Sequence, residues 1–255
     1  MKKVIFIAAA LFALAACNKE VISSPEEGYG ILKLSVESDD RVVVNTKADP
    51  VYDVNTDEFN VTIINDEGVT KKSGKPSVVA VVVLPADDYV IKAENITEGA
   101  ALSNNGGKGQ LRMAGACDQF HLAQSQTVTK TISCNPTNSK ITVAYDASFT
   151  DAFESYDVNL DQTIGGDRDF NNIDAGAEYF YNITDGASVD VVLTATSKAD
   201  VEVSHTQKIA LAVGYHYAVT YSATEDGQLS VIVQASDDLT PSNISVPVNP
   251  YQPAV

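Results

Sequence analysis

The chain has no tryptophan, three histidines, three cysteines and two methionines among its 255 residues. Most catalytic bases, thiol nucleophiles and soft-metal sites are built from His and Cys, so this inventory speaks against an enzyme and against a structural zinc centre. Basic residues are half as numerous as acidic ones, with Lys+Arg 17 against Asp+Glu 34 and a formal charge of −17. Such a chain repels phosphate backbones, which excludes nucleic acid as a partner. HExxH, GxSxG and CxxC do not occur. Asn104-Asn105-Gly106-Gly107-Lys108-Gly109 has the glycines and lysine of a phosphate loop, but Leu102 stands where the upstream Gly belongs and no Ser or Thr follows Lys108. It reads as a flexible hairpin tip. No cofactor is expected.

Long apolar runs are also missing, with one exception. Met1-Lys2-Lys3 is followed by the unbroken apolar segment Val4 to Ala16, the pattern of a secretory signal peptide and too short for a bilayer, which needs about 20 apolar residues. Leu14-Ala15-Ala16-Cys17 fits the bacterial lipobox, so the expectation is cleavage before a diacylglyceryl- and palmitate-bearing Cys17. Several acyl chains on one residue anchor stably where one is marginal. Loss of Lys2 and Lys3 takes the charge from −17 to −19. Residues 17–28, with Ser23-Ser24-Pro25-Glu26-Glu27-Gly28, read as a polar tether. Asn18-Lys19-Glu20 resembles the short charged signal that sends lipoproteins of the Bacteroidales to the outer face of the outer membrane. The partners expected are the membrane, through the N-terminal lipid, and a surface protein or glycan.

Almost every other apolar stretch is short, β-branched and alternating. Ile31 to Val36, Phe59 to Ile63, Tyr89 to Ala93, Ile141 to Tyr145 and Tyr217 to Tyr221 follow period two. Val78 to Leu84 is continuously apolar, the expectation for a strand buried on both faces. Ser148 to Phe153 is the one helical hint, with an Asp or Ser cap. Four segments recur in the same order: Ile31–Val36 and Ile141–Tyr145, Glu58–Ile63 and Ser155–Leu160, Tyr89–Ala93 and Val191–Ala195, Phe120–Ile132 and Ile209–Tyr221. The fold class is therefore all-β, two tandem antiparallel sandwiches. The divisions are 1–16 signal peptide, 17–28 tether, 29–135 and 136–235 sandwiches, and 236–255 a Pro-rich tail. Asn135-Pro136-Thr137-Asn138 is the seam, with the character of a linker. The tail carries Pro241, Pro247, Pro250 and Pro253 and cannot be a central strand, though Ile244-Ser245-Val246 could add to an edge.

Several groups are candidate sites. Cys117 and Cys134 flank an expected hairpin, Phe120–Leu122 against Thr127–Ile132. An oxidising compartment permits a disulfide, but pairing Leu122 with Thr127 sets the two cysteines diagonally and favours buried free thiols. Asp167, Asp169, Asn171 and Glu178 nearly match the calcium-loop spacing, with Asn172 in place of the turn Gly; an acidic surface loop is the plainer reading. Tyr215, Tyr217 and Tyr221 alternate along one strand and would either stack sugars or pack a core. His121, His205 and His216 lie in strand patterns and read as ordinary strand residues.

Certain segments carry a family likeness. The lipobox, Gly30-Ile31-Leu32-Lys33-Leu34-Ser35-Val36, Asn45-Thr46-Lys47-Ala48, Leu84-Pro85-Ala86-Asp87-Asp88-Tyr89, and Lys140 to Asp146 with Phe149 and Phe153 resemble an uncharacterised lipoprotein family of the Bacteroidales. That family is related to the fimbrillins, with two transthyretin-like, Greek-key sandwiches. The likeness covers residues 1–235 and departs where Asp87-Asp88 replaces the usual Gly before the Tyr. It implies a non-enzymatic surface protein in adhesion or associated with fimbriae; the alternatives are a polymerising fimbrillin-type subunit and a glycan-capture module. In fimbrillins a cut after a basic residue releases the first strand, and a strand of the next subunit replaces it. The resemblance places that cut after Lys47, or at Arg41, with Ile244 to Val248 as the donor.

Overall fold

The computed structural model describes residues 27–38, 54–224 and 229–235, with the backbone of a strand at 238–246. The first sandwich contains β1 (Tyr29–Ser38), β2 (Asn60–Asn65), β3 (Thr70–Gly74), the helical turn α1 (Pro76–Val79), β4 (Val81–Pro85), β5 (Asp87–Glu94), α2 (Glu98–Ser103), β6 (Met113–Ala116), β7 (Phe120–Leu122) and β8 (Thr127–Pro136). Its strands form one sheet in the order β3-β2-β5-β6-β8-β1-β4, with β7 added beside β5. The sheet doubles over at β6, which pairs with β5 through Ala116, Gly115 and Ala114 and with β8 through Ala114 and Met113. Gly115 is required there: a Cβ would lie 2.1 Å from the Ser133 carbonyl oxygen. Alternation supplies the core. Leu32, Val61, Ile63, Ile91, Met113 and Ile132 are buried while Lys33, Asn60 and Lys92 face out. Each fully buried aliphatic side chain contributes about 1.5–3 kcal/mol.

The second sandwich contains β9 (Asn138–Tyr145), α3 (Ala147–Ala152), β10 (Phe153–Ile164), β11 (Tyr179–Asn182), β12 (Ser188–Ser197), β13 (Glu202–Ala210), β14 (His216–Ala223), β15 (Leu229–Ala235) and β16 (Asp238–Val246). One layer is β10-β12-β13 and the other β11-β9-β14-β15-β16. Asp146 caps α3 by accepting from the Phe149 amide at 3.0 Å. Phe149, Phe153, Tyr145, Tyr156 and Tyr221 pack ring against ring at one end of this core. The two sandwiches repeat one plan. In each, the first strand is the parallel neighbour of a late strand: β1 of β8 over eight residue pairs and β9 of β14 over six. In each, the second strand pairs antiparallel with a long central strand, β2 with β5 and β10 with β12.

Three local expectations are corrected. Val78 to Leu84 is not one strand buried on both faces. Pro76 sits at the first position of α1, where its missing N–H costs nothing, and β4 begins only at Val81. β4 ends the sheet order, so Val82 and Leu84 are buried while Val81 and Val83 are about half exposed, at 44% and 48%. The expected hairpin between Phe120–Leu122 and Thr127–Ile132 does not form, because β7 pairs with β5 and β8 with β1. The turn at Asp87-Asp88 needs no glycine: both residues begin β5 opposite Leu122 and His121, and neither has positive φ. Asp87 accepts from the Asn65 amide at 3.1 Å and Asp88 meets His121 Nδ1 at 2.8 Å. The seam is no flexible linker either, since only Thr137 separates β8 from β9, and Pro136 and Asn138 are buried. The tail contributes β16, an outer strand antiparallel to β15, and Ile244 pairs with Val231.

Candidate functional site

The loop between β5 and β6 joins the sandwiches. Asn95 fastens its ends, donating to Leu111 O at 3.1 Å and accepting from Met113 N at 2.8 Å. Thr97 caps α2 through the Ala100 amide, and Gly109 turns the chain with φ +91°. Asn104 to Gly109 is therefore not a free hairpin tip. It is pinned by Arg168, whose Nη2 donates to the carbonyls of Leu102, at 2.7 Å, and Gly107. Lys108 pairs with Asp174 at 2.5 Å, Phe180 N donates to Lys108 O at 2.8 Å, and Asn182 donates to Glu98 at 2.9 Å. Buried Asn138 accepts from Arg112 N at 3.1 Å and donates to Gln110 O at 2.8 Å. Phe180 completes the joint: it belongs to β11, yet its ring packs into the core of the first sandwich and is 3% exposed. Burial pushes the Arg168 guanidinium below its ordinary pKa. It nonetheless keeps its charge, as any guanidinium does.

Two of the four candidate calcium residues are engaged elsewhere. Asp169 accepts from Gln162 N at 2.9 Å, Glu178 pairs with buried Lys140 at 2.7 Å, and Asp167 and Asn171 are exposed. Among the described residues no three His, Cys, Asp or Glu side chains are grouped to hold a metal ion. Asn172 does adopt positive φ, at 50°, and its amide donates to Asn159. Thus the loop's shape comes from docking on β10, where Phe170 and Leu160 exchange 2.8 Å backbone bonds, rather than from a cation.

Cys117 and Cys134 are free thiols, the favoured of the two readings, and the possible disulfide does not form. Each sulfur has its own partner on β5: Cys117 Sγ accepts from Ile91 N at 3.4 Å, and Cys134 donates to Ala93 O at 3.6 Å. Burial raises the Cys134 thiol to about 11, which keeps it protonated and unreactive. The sugar-stacking reading of the tyrosines is also overturned. Tyr221 is fully buried, and Tyr217 is 6% exposed with its hydroxyl accepting from Ala212 N at 2.9 Å. Both rings are core. His216 is buried against Thr142 at 2.8 Å, His121 is exposed beside Asp88, and burial lowers the His205 pKa. Cys17, Arg41 and Lys47 lie outside the described residues. The residue that sequence reasoning missed is Arg168, and a lone Arg between two Asp in a polar loop was the available signal.

The family model that matches the chain, over residues 28–250, is described as a domain of unknown function, DUF4493. No curated protein matches the sequence. Among solved structures, a fimbrial assembly protein from Parabacteroides distasonis ATCC 8503 is similar at 12% identity and TM-score 0.48, covering 86% of this chain and 99% of that one. The fimbrial anchor protein Mfa2 from Porphyromonas gingivalis is similar at 12% identity and TM-score 0.41, covering 80% and 95%.

Proposed function

The chain belongs to the DUF4493 family, and from that premise we propose that it is a non-enzymatic, lipid-anchored protein of the cell surface, acting in adhesion or in association with fimbriae. The observation that carries this reading is the joint. Arg168, Lys108, Asn138 and Phe180 tie the two sandwiches together, and the β8–β9 connection is a single residue, which suits a rigid body displayed from a surface. Leu14-Ala15-Ala16-Cys17 supplies the anchor in outer-membrane lipid, and residues 17–28 supply the tether. Mass spectrometry of the mature N-terminus from native membranes tests the proposal. An acylated Cys17, with the sandwiches degraded by protease added to intact cells, is the expected outcome. A soluble chain without acyl groups would refute it.

A second reading, a polymerising subunit, has one observation in its favour. β1 lies inside the sheet between β4 and β8, so cleavage after Lys47 would free a strand whose slot another strand could fill. The donor Ile244–Val248 would first have to leave β15. Purified protein beginning at Ala48 and forming detergent-resistant ladders would favour this reading over the first.

A further inference from the structure

The outer face of the first sandwich holds a groove of about 500 Å³ over β2, β5 and β6, within the roughly 300–1,000 Å³ range of small-ligand sites. Its floor is low because Ala114 and Ala116 stand beside long side chains on β5. Two cross-strand rows build it, Asn60–Glu94–Ala114 and Thr62–Lys92–Ala116. The rows lie about 7 Å apart along the strands, and neighbouring strands are about 4.8 Å apart.

One wall is already organised. Arg112 binds Glu94 at 2.9 Å through Nη2 and Thr137 at 3.2 Å through Nη1, with the two charged side chains 21% and 30% exposed. Two of the five guanidinium N–H groups are thereby used, and Nε has no acceptor. Asn60 accepts from Ser73 at 3.4 Å and lines the groove together with Lys92. Lys92 is exposed and has no hydrogen-bond or ion-pair partner among the described residues. The groove thus carries two cations and one anion in a molecule of charge −17.

This combination is not demanded by the fold. The matching rows of the second sandwich, Asp157–Thr194–Ser204 and Asn159–Val192–Thr206, contain no basic residue, and hydroxyl side chains stand where the first sandwich has the two alanines.

We propose that this groove binds a uronic-acid-bearing saccharide, with Lys92 and Arg112 taking the carboxylate and Asn60, Thr62 and Glu94 taking ring hydroxyls. A carboxylate gains charge-assisted hydrogen bonds from an ammonium and a guanidinium. Paired donors and acceptors on adjacent strands suit vicinal hydroxyls, and the alanine methyls meet the C–H face of a pyranose. An extended peptide is the poorer fit, since the backbone groups of β2, β5 and β6 are already used in their ladders and offer no edge. No aromatic ring lines the groove, so binding rests on polar contacts and weakens with salt. The proposal deepens the adhesive reading above, but binding by purified protein does not depend on anchoring.

Calorimetric titration of the full chain in detergent with digalacturonate, maltose and hexaaspartate is the test. Digalacturonate binds, and maltose binds at least tenfold more weakly. Lys92→Gln weakens digalacturonate about tenfold, one charge-assisted contact's worth, and Ala116→Leu, which fills the floor, abolishes binding. Both substitutions are at exposed positions, so neither threatens the fold. Equal affinity for maltose, tighter binding of hexaaspartate, an unaltered Lys92→Gln variant or no binding by the parent chain would each overturn the proposal. None of these results bears on Cys17 acylation, so this site and the anchored reading fail separately.

Discussion

Replacing Phe180 by Ala tests whether the two sandwiches stabilise each other. The ring is 3% exposed, grows from β11 of the second sandwich and fills the core of the first. Gly109 is held so close that a Cβ on it would lie 2.9 Å from the Phe180 Cβ, so the site has little freedom to collapse after truncation. A Phe→Ala change in such a core costs about 3–5 kcal/mol. With a urea m-value of roughly 1–3 kcal/mol/M, the midpoint of the first sandwich falls by about 2 M. The molecule carries a native probe for each half. Cys117 and Cys134 lie in the first sandwich, and Tyr145, Tyr156, Tyr179, Tyr181, Tyr217 and Tyr221 in the second. In a Cys17→Ser background, thiol labelling reads the first sandwich and near-ultraviolet tyrosine dichroism chiefly the second. The parent chain shows one coincident transition. Phe180→Ala shows labelling at lower urea than the loss of dichroism. A shift below about 0.3 M in both probes, or a larger shift in the dichroism, would refute the idea that this ring couples the cores.

Asp161 and Asp190 face each other directly across β10 and β12, and the Asp161 pKa is raised by burial first and then by Asp169 and Asp190. Its charged form is disfavoured in the fold, so this residue lowers stability at neutral pH and the penalty is relieved as pH falls through its folded pKa. Asp161→Asn should therefore raise the urea midpoint at pH 7 by an amount equivalent to about 0.2–1 kcal/mol, with a smaller gain at pH 4; no gain at pH 7 would contradict it. Asp87 has the opposite sign, its pKa lowered mainly by the Asn65 hydrogen bond and next by the Asp88 amide. Its contribution is present above the ordinary carboxylate range and lost as pH falls through the folded value, so Asp87→Asn flattens the acid limb of thermal stability below about pH 4. Gly115→Ala places a methyl against the Ser133 carbonyl and costs at least about 1–3 kcal/mol, seen as earlier Cys134 labelling; a melting temperature equal to that of the parent would show that β6 can move away from β8.

Strand periodicity was the most readable part of the sequence. Leu32, Ile63, Ile91 and Val143 announce their inward faces because a half-buried strand alternates every second residue. Pairing was less readable. The short loop after Leu122 suggested a hairpin, yet the parallel site beside β1 captured β8 and left β7 to β5, a choice made by contacts distant in sequence. Val78 to Leu84 misled because a continuous apolar run does not say which side chains find a neighbour; Pro76, a helix-opening residue, was the overlooked mark. The groove cations were unreadable for a related reason. Lys92 and Arg112 are twenty residues apart and line one groove only because β6 returns beside β5.

The parallel pairing of β1 with β8 has a mechanical consequence. The chain enters the first sandwich at Tyr29 and leaves it at Pro136, at opposite ends of two neighbouring strands that run the same way. A pull between an anchored N-terminus and a load on the second sandwich therefore draws the two strands past each other. All eight residue pairs, spanning about 26 Å, bear that tension together instead of opening one at a time like a zip. The β1–β8 ladder inside the sheet is also its shear clamp, and resistance to tearing should exceed what equilibrium stability alone suggests.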